Sequence, residues 1–69
     1  MNIAIVYDKD ALEWSFVPPD EYQIQINYRD DGSLQILAHS TALYTPITLG
    51  EWATGRWSHA CIQNNEVTS

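Results

Sequence analysis

The sequence predicts an α+β fold, in which a four-stranded, mainly antiparallel sheet is covered by one C-terminal helix. Three observations lead to this fold class. Strand-like patterns fill residues 2–40, helical spacing appears over residues 48–63, and a length of 69 residues allows only one domain. We therefore expect residues 1–69 to form a single two-layer α+β domain.

The strands are predicted at residues 2–7, 11–17, 22–28 and 34–40. The first is almost continuously apolar, which is typical of a strand buried on both faces. The second and third alternate apolar with polar residues, the period of two of a half-buried strand. Between the third and fourth, Gly32 near the end of a short polar loop favours a hairpin turn with a left-handed residue. The first two strands and the last two are each expected to pair as a hairpin.

The helix is predicted from a start signal and an apolar stripe. Thr48 and Glu51 match the capping box, in which a hydroxyl is followed three residues later by a carboxylate. Helical spacing then relates Leu49, Trp52, Ala53, Trp57, Ala60 and Cys61. We expect this stripe to cover the sheet, with Cys61 as a small core residue. Residues 43–44 are compatible with a further short strand.

The charge is strongly acidic, with nine acidic residues against three basic ones and a net charge of -6. Seven of the acids lie in the first half of the chain: Asp8, Asp10, Glu13, Asp20, Glu21, Asp30 and Asp31. Such a surface repels nucleic acid and membranes and attracts basic protein surfaces. In a simple meander the turns at residues 8–10 and 29–33 lie at one end of the sheet. Their four aspartates would cluster there, with Asp20 and Glu21 at the opposite end.

No combination of residues indicates an enzyme, a metal or a cofactor. His39, His59 and Cys61 fall short of the four ligands of a closed zinc site. The run from Asp8 to Asp10 begins like a calcium loop, but the later ligands of such a loop are missing. We therefore expect a protein that binds a protein partner, with Trp57 as an exposed aromatic anchor of the interface.

The location is expected to be the cytoplasm. The chain has no run of about 20 apolar residues that could span a membrane and no signal peptide after Met1, where we expect the chain to begin. The single cysteine, Cys61, excludes an intrachain disulfide, which suits a reducing compartment. A homodimer is an open alternative, because so small a chain has few other stabilising devices.

In size, acidity, single α+β domain and lack of an enzyme signature, the chain resembles the small phage-encoded anti-CRISPR proteins. It is most similar to acidic inhibitors of type I surveillance complexes, and the resemblance covers the whole chain in its overall character. It implies a DNA mimic in the bacterial host cell, whose carboxylates occupy a DNA channel lined by Lys and Arg. The phosphate-like row would be Asp8, Asp10, Asp30 and Asp31, extended by Glu13, Asp20 and Glu21. The alternative is a non-enzymatic interaction module, such as an antitoxin, adaptor or phage assembly protein, that binds through exposed aromatics.

Overall fold

The computed structural model describes residues 2–40 and 43–64, without the side chains of residues 43 and 44, and this part of the chain is all β. Its strands are β1 (Asn2–Asp8), β2 (Glu13–Phe16), β3 (Gln23–Tyr28), β4 (Leu34–Ser40), β5 (Leu43–Trp52) and β6 (Trp57–Asn64). They form two three-stranded antiparallel sheets, with strand orders β2-β1-β6 and β3-β4-β5. The principal extents are 35 × 32 × 13 Å, so the molecule is a thin slab. None of the described segments is a helix long and apolar enough to cross a membrane.

Both predicted hairpins are confirmed, but the predicted four-stranded sheet is wrong. In the first hairpin Val6 lies opposite Trp14, and in the second Ile26 lies opposite Ile36. The hairpins do not pair with each other. Instead, β6 adds to the free side of β1 and β5 adds to the free side of β4. The apolar β1 thereby becomes the central strand of its own sheet.

The predicted α+β class is also wrong, because residues 48–63 form no helix. They comprise the end of β5, a turn and most of β6. In the turn, the N–H of Arg56 donates to the carbonyl of Ala53 at 3.0 Å, and Gly55 has a φ of 80°. The residues of this segment include Ile, Thr and Trp side chains, which pack well on a pleated surface. The helical spacing therefore arises from two strands with a turn between them.

The two residues of the predicted capping box lie on the outer face of the second sheet. Gln35 Nε2 donates to Thr48 Oγ1 and to Glu51 Oε1, each at 3.1 Å. Asn27 Nδ2 extends the row by donating to Gln35 Oε1 at 3.2 Å. In this row of hydrogen bonds across β3, β4 and β5, the side chains of Thr48 and Glu51 accept from Gln35 and do not cap a helix. Residues 43–44, the predicted short strand, begin β5.

The core lies between the inner faces of the two sheets. Ala4 and Val6 of β1 and Leu34 and Ile36 of β4 are fully buried there. Partly buried side chains surround this cluster: Phe16, Ile24, Ile26, Leu49, Trp52, Trp57 and Ala60. Ile5, on the opposite face of β1, is only 8% exposed, so the middle of β1 is buried on both faces as its apolar run predicts.

The two long sides of the sandwich differ. On one side, the Tyr28 hydroxyl of β3 donates to the carbonyl of Ala60 in β6 at 3.2 Å. On the other side, β2 and β5 approach through aromatic rings. The ring of Trp52 lies 5.6 Å from that of Phe16 and 6.3 Å from that of Trp14, and no backbone hydrogen bond of the described residues joins β2 to β5. The side formed by β2, β5 and these three rings is called the open side.

Candidate partner-binding surface

Three turns meet at one end of the sandwich and bring four of the predicted site residues together. The N–H of Lys9 donates to the carbonyl of Arg56 at 3.1 Å, and Thr54 Oγ1 donates to the carbonyl of Asp31 at 2.7 Å. Arg56 thus contacts the turn at residues 8–12, and Thr54 contacts the turn at residues 29–33. Because Thr54 and Arg56 are only two residues apart and neighbouring Cα atoms are about 3.8 Å apart, the two turns lie close together. Residues 8–12, 29–33 and 53–56 are called the turn end. It contains Asp8, Asp10, Asp30 and Asp31.

The two acidic turns, residues 8–12 and 29–33, have the same backbone geometry. In each, the N–H of the first residue donates to the carbonyl of the fifth, and the N–H of the fourth donates to the carbonyl of the first, all at 3.0 Å. The fourth residue has a positive φ, 65° at Ala11 and 88° at Gly32. Glycine adopts this conformation freely, whereas alanine does so at a cost of about 1–2 kcal/mol. The glycine-ended turn predicted at Gly32 is thus confirmed, and its counterpart at Ala11 holds the same shape under strain.

The carboxylate of Asp8 is used inside its own turn. Its Oδ1 accepts from the N–H groups of Asp10 at 2.9 Å and Leu12 at 3.0 Å. Its Oδ2 accepts from Trp14 Nε1 at 3.0 Å. The hydrogen bond from Trp14 is the main reason that the pKa of Asp8 is lowered, with smaller contributions from the two backbone N–H groups. Asp8 therefore stays charged and fixes the turn and the indole of Trp14.

The carboxylate of Asp31 plays the same part in the second turn. Its Oδ1 accepts from Ser33 Oγ at 2.6 Å and from the N–H of Ser33 at 2.8 Å. These two hydrogen bonds lower the pKa of Asp31 below its usual value. By contrast, Asp10 and Asp30 are exposed, and no hydrogen bond or ion pair of the described residues involves their carboxylates. Of the four aspartates at the turn end, these two present free carboxylates to a partner.

The turn end also gathers all three basic residues of the chain, Lys9, Arg29 and Arg56. Arg29 Nη2 lies 3.7 Å from Oε1 of Glu51 at the end of β5. With four aspartates and three cations, the turn end carries mixed charge and not the whole of the net charge of -6. Part of this mixture of charges could be predicted from the sequence, because Lys9 lies between two aspartates and Arg29 precedes Asp30.

The other predicted acids lie elsewhere. Asp20 and Glu21 are exposed in the connector between β2 and β3, at the end opposite the turn end. Glu13 lies on the outer face of its sheet, where its Oε1 accepts from the Tyr7 hydroxyl at 2.8 Å. This contact raises the pKa of Tyr7. Glu66 lies outside the described residues. The structure therefore brings together four of the seven acids predicted to bind a partner.

The tryptophans differ in exposure from the sequence-based expectation. Trp57 is partly buried, and its Nε1 donates to the carbonyl of Gly32 at 2.9 Å, which ties β6 to the second acidic turn. Its role as a partner-binding anchor stays a prediction. Trp14 is 48% exposed on the open side. Its exposure follows from the position of β2 at a sheet edge, which the sequence pattern does not reveal.

The histidine and cysteine side chains lie on the outer faces of the sheets. Cys61 is exposed, so its predicted core position is wrong. The cause is the strand period, because Ala60 packs on the core and Cys61 therefore points to the opposite face. The ring of His59 stacks on that of Tyr7, with centroids 4.4 Å apart. Within the described ranges, no three His, Cys, Asp or Glu residues are grouped so that they could hold a metal ion.

Asp31 is expected to matter for stability, and Asp30 is its matched control. Because the pKa of Asp31 is lowered on folding, its ionised form stabilises the fold at pH values above about 3.8, and this stabilisation is lost as the pH falls through the lowered pKa. Asp31→Asn should therefore lower the Tm at pH 7 by more than Asp30→Asn does. The gap should close below pH 3.8. Thermal unfolding followed by circular dichroism measures both, and equal Tm values for the two variants at pH 7 would contradict the role given to Asp31.

Comparisons of the chain with protein-family models, with curated proteins and with solved structures find no match.

Proposed function

We propose that this chain is a non-enzymatic binding protein that inhibits a nucleic-acid-binding protein by occupying its basic surface. The observation that supports this function best is the meeting of two acidic turns of the same geometry on either side of the β5–β6 turn. Each turn combines one exposed carboxylate, Asp10 or Asp30, with one hydrogen-bonded aspartate that braces the loop. Rigid presentation of charge favours binding, because little side-chain and loop freedom is then lost in the complex.

The three cations of the turn end refine the partner that we propose. A uniform row of phosphate-like charge would suit any basic surface, whereas Lys9 and Arg56 among the aspartates favour a basic surface that also carries some acidic side chains. Like charges brought together in a wrong complex cost several kcal/mol, so mixed charge adds specificity. The Lys- and Arg-lined DNA channel of a type I CRISPR surveillance complex is the partner that the resemblance names, and the bacterial cytoplasm is the matching location.

A charge-reversal experiment tests this function. The double variant Asp10→Lys with Asp30→Lys changes the turn end by four charges and spares the aspartates that brace the turns. Its matched control is Asp20→Lys with Glu21→Lys, which makes the same charge change at the opposite end. We expect the unaltered chain to prevent a purified type I surveillance complex from shifting its target DNA in a gel. The turn-end variant should be weaker by at least roughly tenfold, a loss of about 1.4 kcal/mol, and the control should be little changed.

Two further outcomes bear on the proposal. Inhibition should weaken as salt is raised from about 0.05 M to 0.3 M, because steering between exposed opposite charges is screened. Equal inhibition by the two double variants would exclude the turn end as the binding surface. Failure of the unaltered chain to inhibit would exclude this class of partner.

The second candidate function is a non-enzymatic interaction module that binds through exposed aromatic and aliphatic side chains. It is favoured by the exposure of large apolar side chains on β2 and on the residues next to it, with Leu12 58% exposed, Trp14 48% and Val17 57%. Large apolar side chains that are this exposed in a group often mark a protein-binding surface.

A further inference from the structure

The open side exposes the backbone edge of β2. The N–H of Asp8 donates to the carbonyl of Leu12 at 3.0 Å, so these opposed residues form a hydrogen-bonded pair. Hydrogen-bonded and non-hydrogen-bonded pairs alternate along an antiparallel ladder. In the register of β1 with β2, Glu13 and Ser15 therefore belong to the non-hydrogen-bonded pairs. Their N–H and C=O groups point away from β1, and an added strand could bond to them.

The same edge is lined with apolar surface on its inner face. Trp14 and Phe16 alternate with Glu13 and Ser15 along β2, so both rings lie on the inner face of the strand, where Phe16 packs against the core and Trp14 remains 48% exposed. Trp52 of β5 lies against both rings. Ile47, further along β5, is 41% exposed. A strand placed beside β2 would thus cover apolar side chains on its inner face, while its outer face would lie beside Glu13.

Charge decides which occupant suits this edge. A second copy of the chain would bring together two molecules that each carry a net charge of -6, which opposes association. An occupant with basic side chains is attracted instead, and the exposed Glu13 lies on the outer face of β2 beside this edge.

We propose that the open side binds an extended segment of a partner protein, with alternating apolar and basic side chains, which adds to β2 as a strand. The apolar side chains face Trp14 and Phe16, and the basic ones lie beside Glu13. The backbone of the segment pairs with Glu13 and Ser15, as in other cases of strand addition to a sheet edge. This inference rests on the second candidate function and is independent of the turn end.

Three synthetic peptides and three variants test the proposal. The peptides are a capped nonapeptide of alternating lysine and valine, the same peptide N-methylated on alternate backbone nitrogens, and a nonapeptide of alternating glutamate and valine. The variants are Ser15→Pro, Ser15→Ala and Trp14→Ala. Proline removes the outward N–H of residue 15 and is tolerated at a sheet edge, whereas alanine keeps that N–H. Binding is measured by isothermal titration calorimetry, and contacts are mapped by amide chemical shifts.

We expect the lysine–valine peptide to bind, with the amide shifts confined to residues 13–17 and 47–52. Ser15→Pro, Trp14→Ala, N-methylation and the exchange of lysine for glutamate should each weaken binding by at least roughly tenfold, as expected for groups central to an interface. Ser15→Ala should leave the affinity within about twofold, since it keeps the backbone donor. N-methylation keeps the peptide's charge and uses the unaltered chain, so it remains decisive even if Ser15→Pro fails to fold.

Other results would overturn the proposal. Equal binding of the N-methylated peptide would exclude strand addition, and equal binding of the glutamate peptide would exclude a basic segment. A dimer in sedimentation that Ser15→Pro abolishes would identify a second copy as the occupant. The variant Asp10→Lys with Asp30→Lys should keep its affinity for the lysine–valine peptide to within about threefold, because the attraction of distant surface charges is screened. Failure at the turn end is thereby distinguished from failure at the open side.

Discussion

Replacement of Ile36 by alanine is expected to lower the free energy of unfolding by about 2–5 kcal/mol, the range for removing a large buried aliphatic side chain. Ile36 is fully buried, and it packs in the cluster of Ala4, Val6 and Leu34 between the two sheets. In the described residues, the largest fully buried side chains are Leu34, Ile36 and Val6. A chain of this length is stable by only about 3–10 kcal/mol, so the variant should lose a large share of its stability.

Urea denaturation followed by circular dichroism measures this loss. Ile62→Ala is the matched control, because it removes the same atoms from a side chain that is 44% exposed. The control should cost about 1 kcal/mol or less, since much of its apolar surface is already in contact with water. If both variants were equally destabilised, the interior of the sandwich would not be the core.

The two hairpins could be predicted because their signals are local. The alternation of residues 22–28 sets which side chains face inward, and Gly32 supplies the left-handed residue that closes the turn. The third strand of each sheet could not be predicted in this way. The pairing of β1 with β6 joins opposite ends of the chain, and no local pattern specifies such a partner.

The helix prediction failed because apolar spacing was given more weight than residue type. The run before Thr54 and Gly55 is rich in β-branched and aromatic residues, Trp57 and Ile62 follow them, and a glycine between such segments is a turn signal. Gly50 also weakens a helix, since glycine is a poor helix former, but this cost was outweighed by the apolar spacing. In the structure it lies in a strand, opposite Ile36.

The presence of aspartates in the two acidic turns could be predicted from the sequence, because turns favour aspartate. Asp8 and Asp31 both accept hydrogen bonds from the backbone two residues ahead, which is the reason that aspartate suits such turns. The same contacts explain why a count of acids overestimates the free carboxylates. The meeting of both turns with residues 53–56 depends on the long-range pairing of β6, so the approach of Arg56 to the acidic turns could not be predicted from the sequence.

Replacement of Gly50 by valine is expected to destabilise the chain by about 1–3 kcal/mol, the usual range for adding atoms to a packed interior. A Cβ atom at residue 50 would lie 2.8 Å from Cζ and 2.9 Å from Cε1 of Phe16. The ring of Phe16 cannot move freely away, because it packs edge-on against Trp52 with centroids 5.6 Å apart. The added side chain must therefore displace Phe16 from the gap between β2 and β5.

A double-mutant cycle with Phe16→Leu separates this clash from any general effect of valine in β5. Leucine at position 16 is shorter than phenylalanine and leaves room for the new methyl groups. Gly50→Val should therefore cost less in the Phe16→Leu background than in the unaltered chain, with a coupling energy of about 0.5–3 kcal/mol measured by urea denaturation. A cost that is the same in both backgrounds would mean that Phe16 does not close the sandwich against Gly50. In that case the aromatic rings between β2 and β5 would not be the contact that holds the open side together.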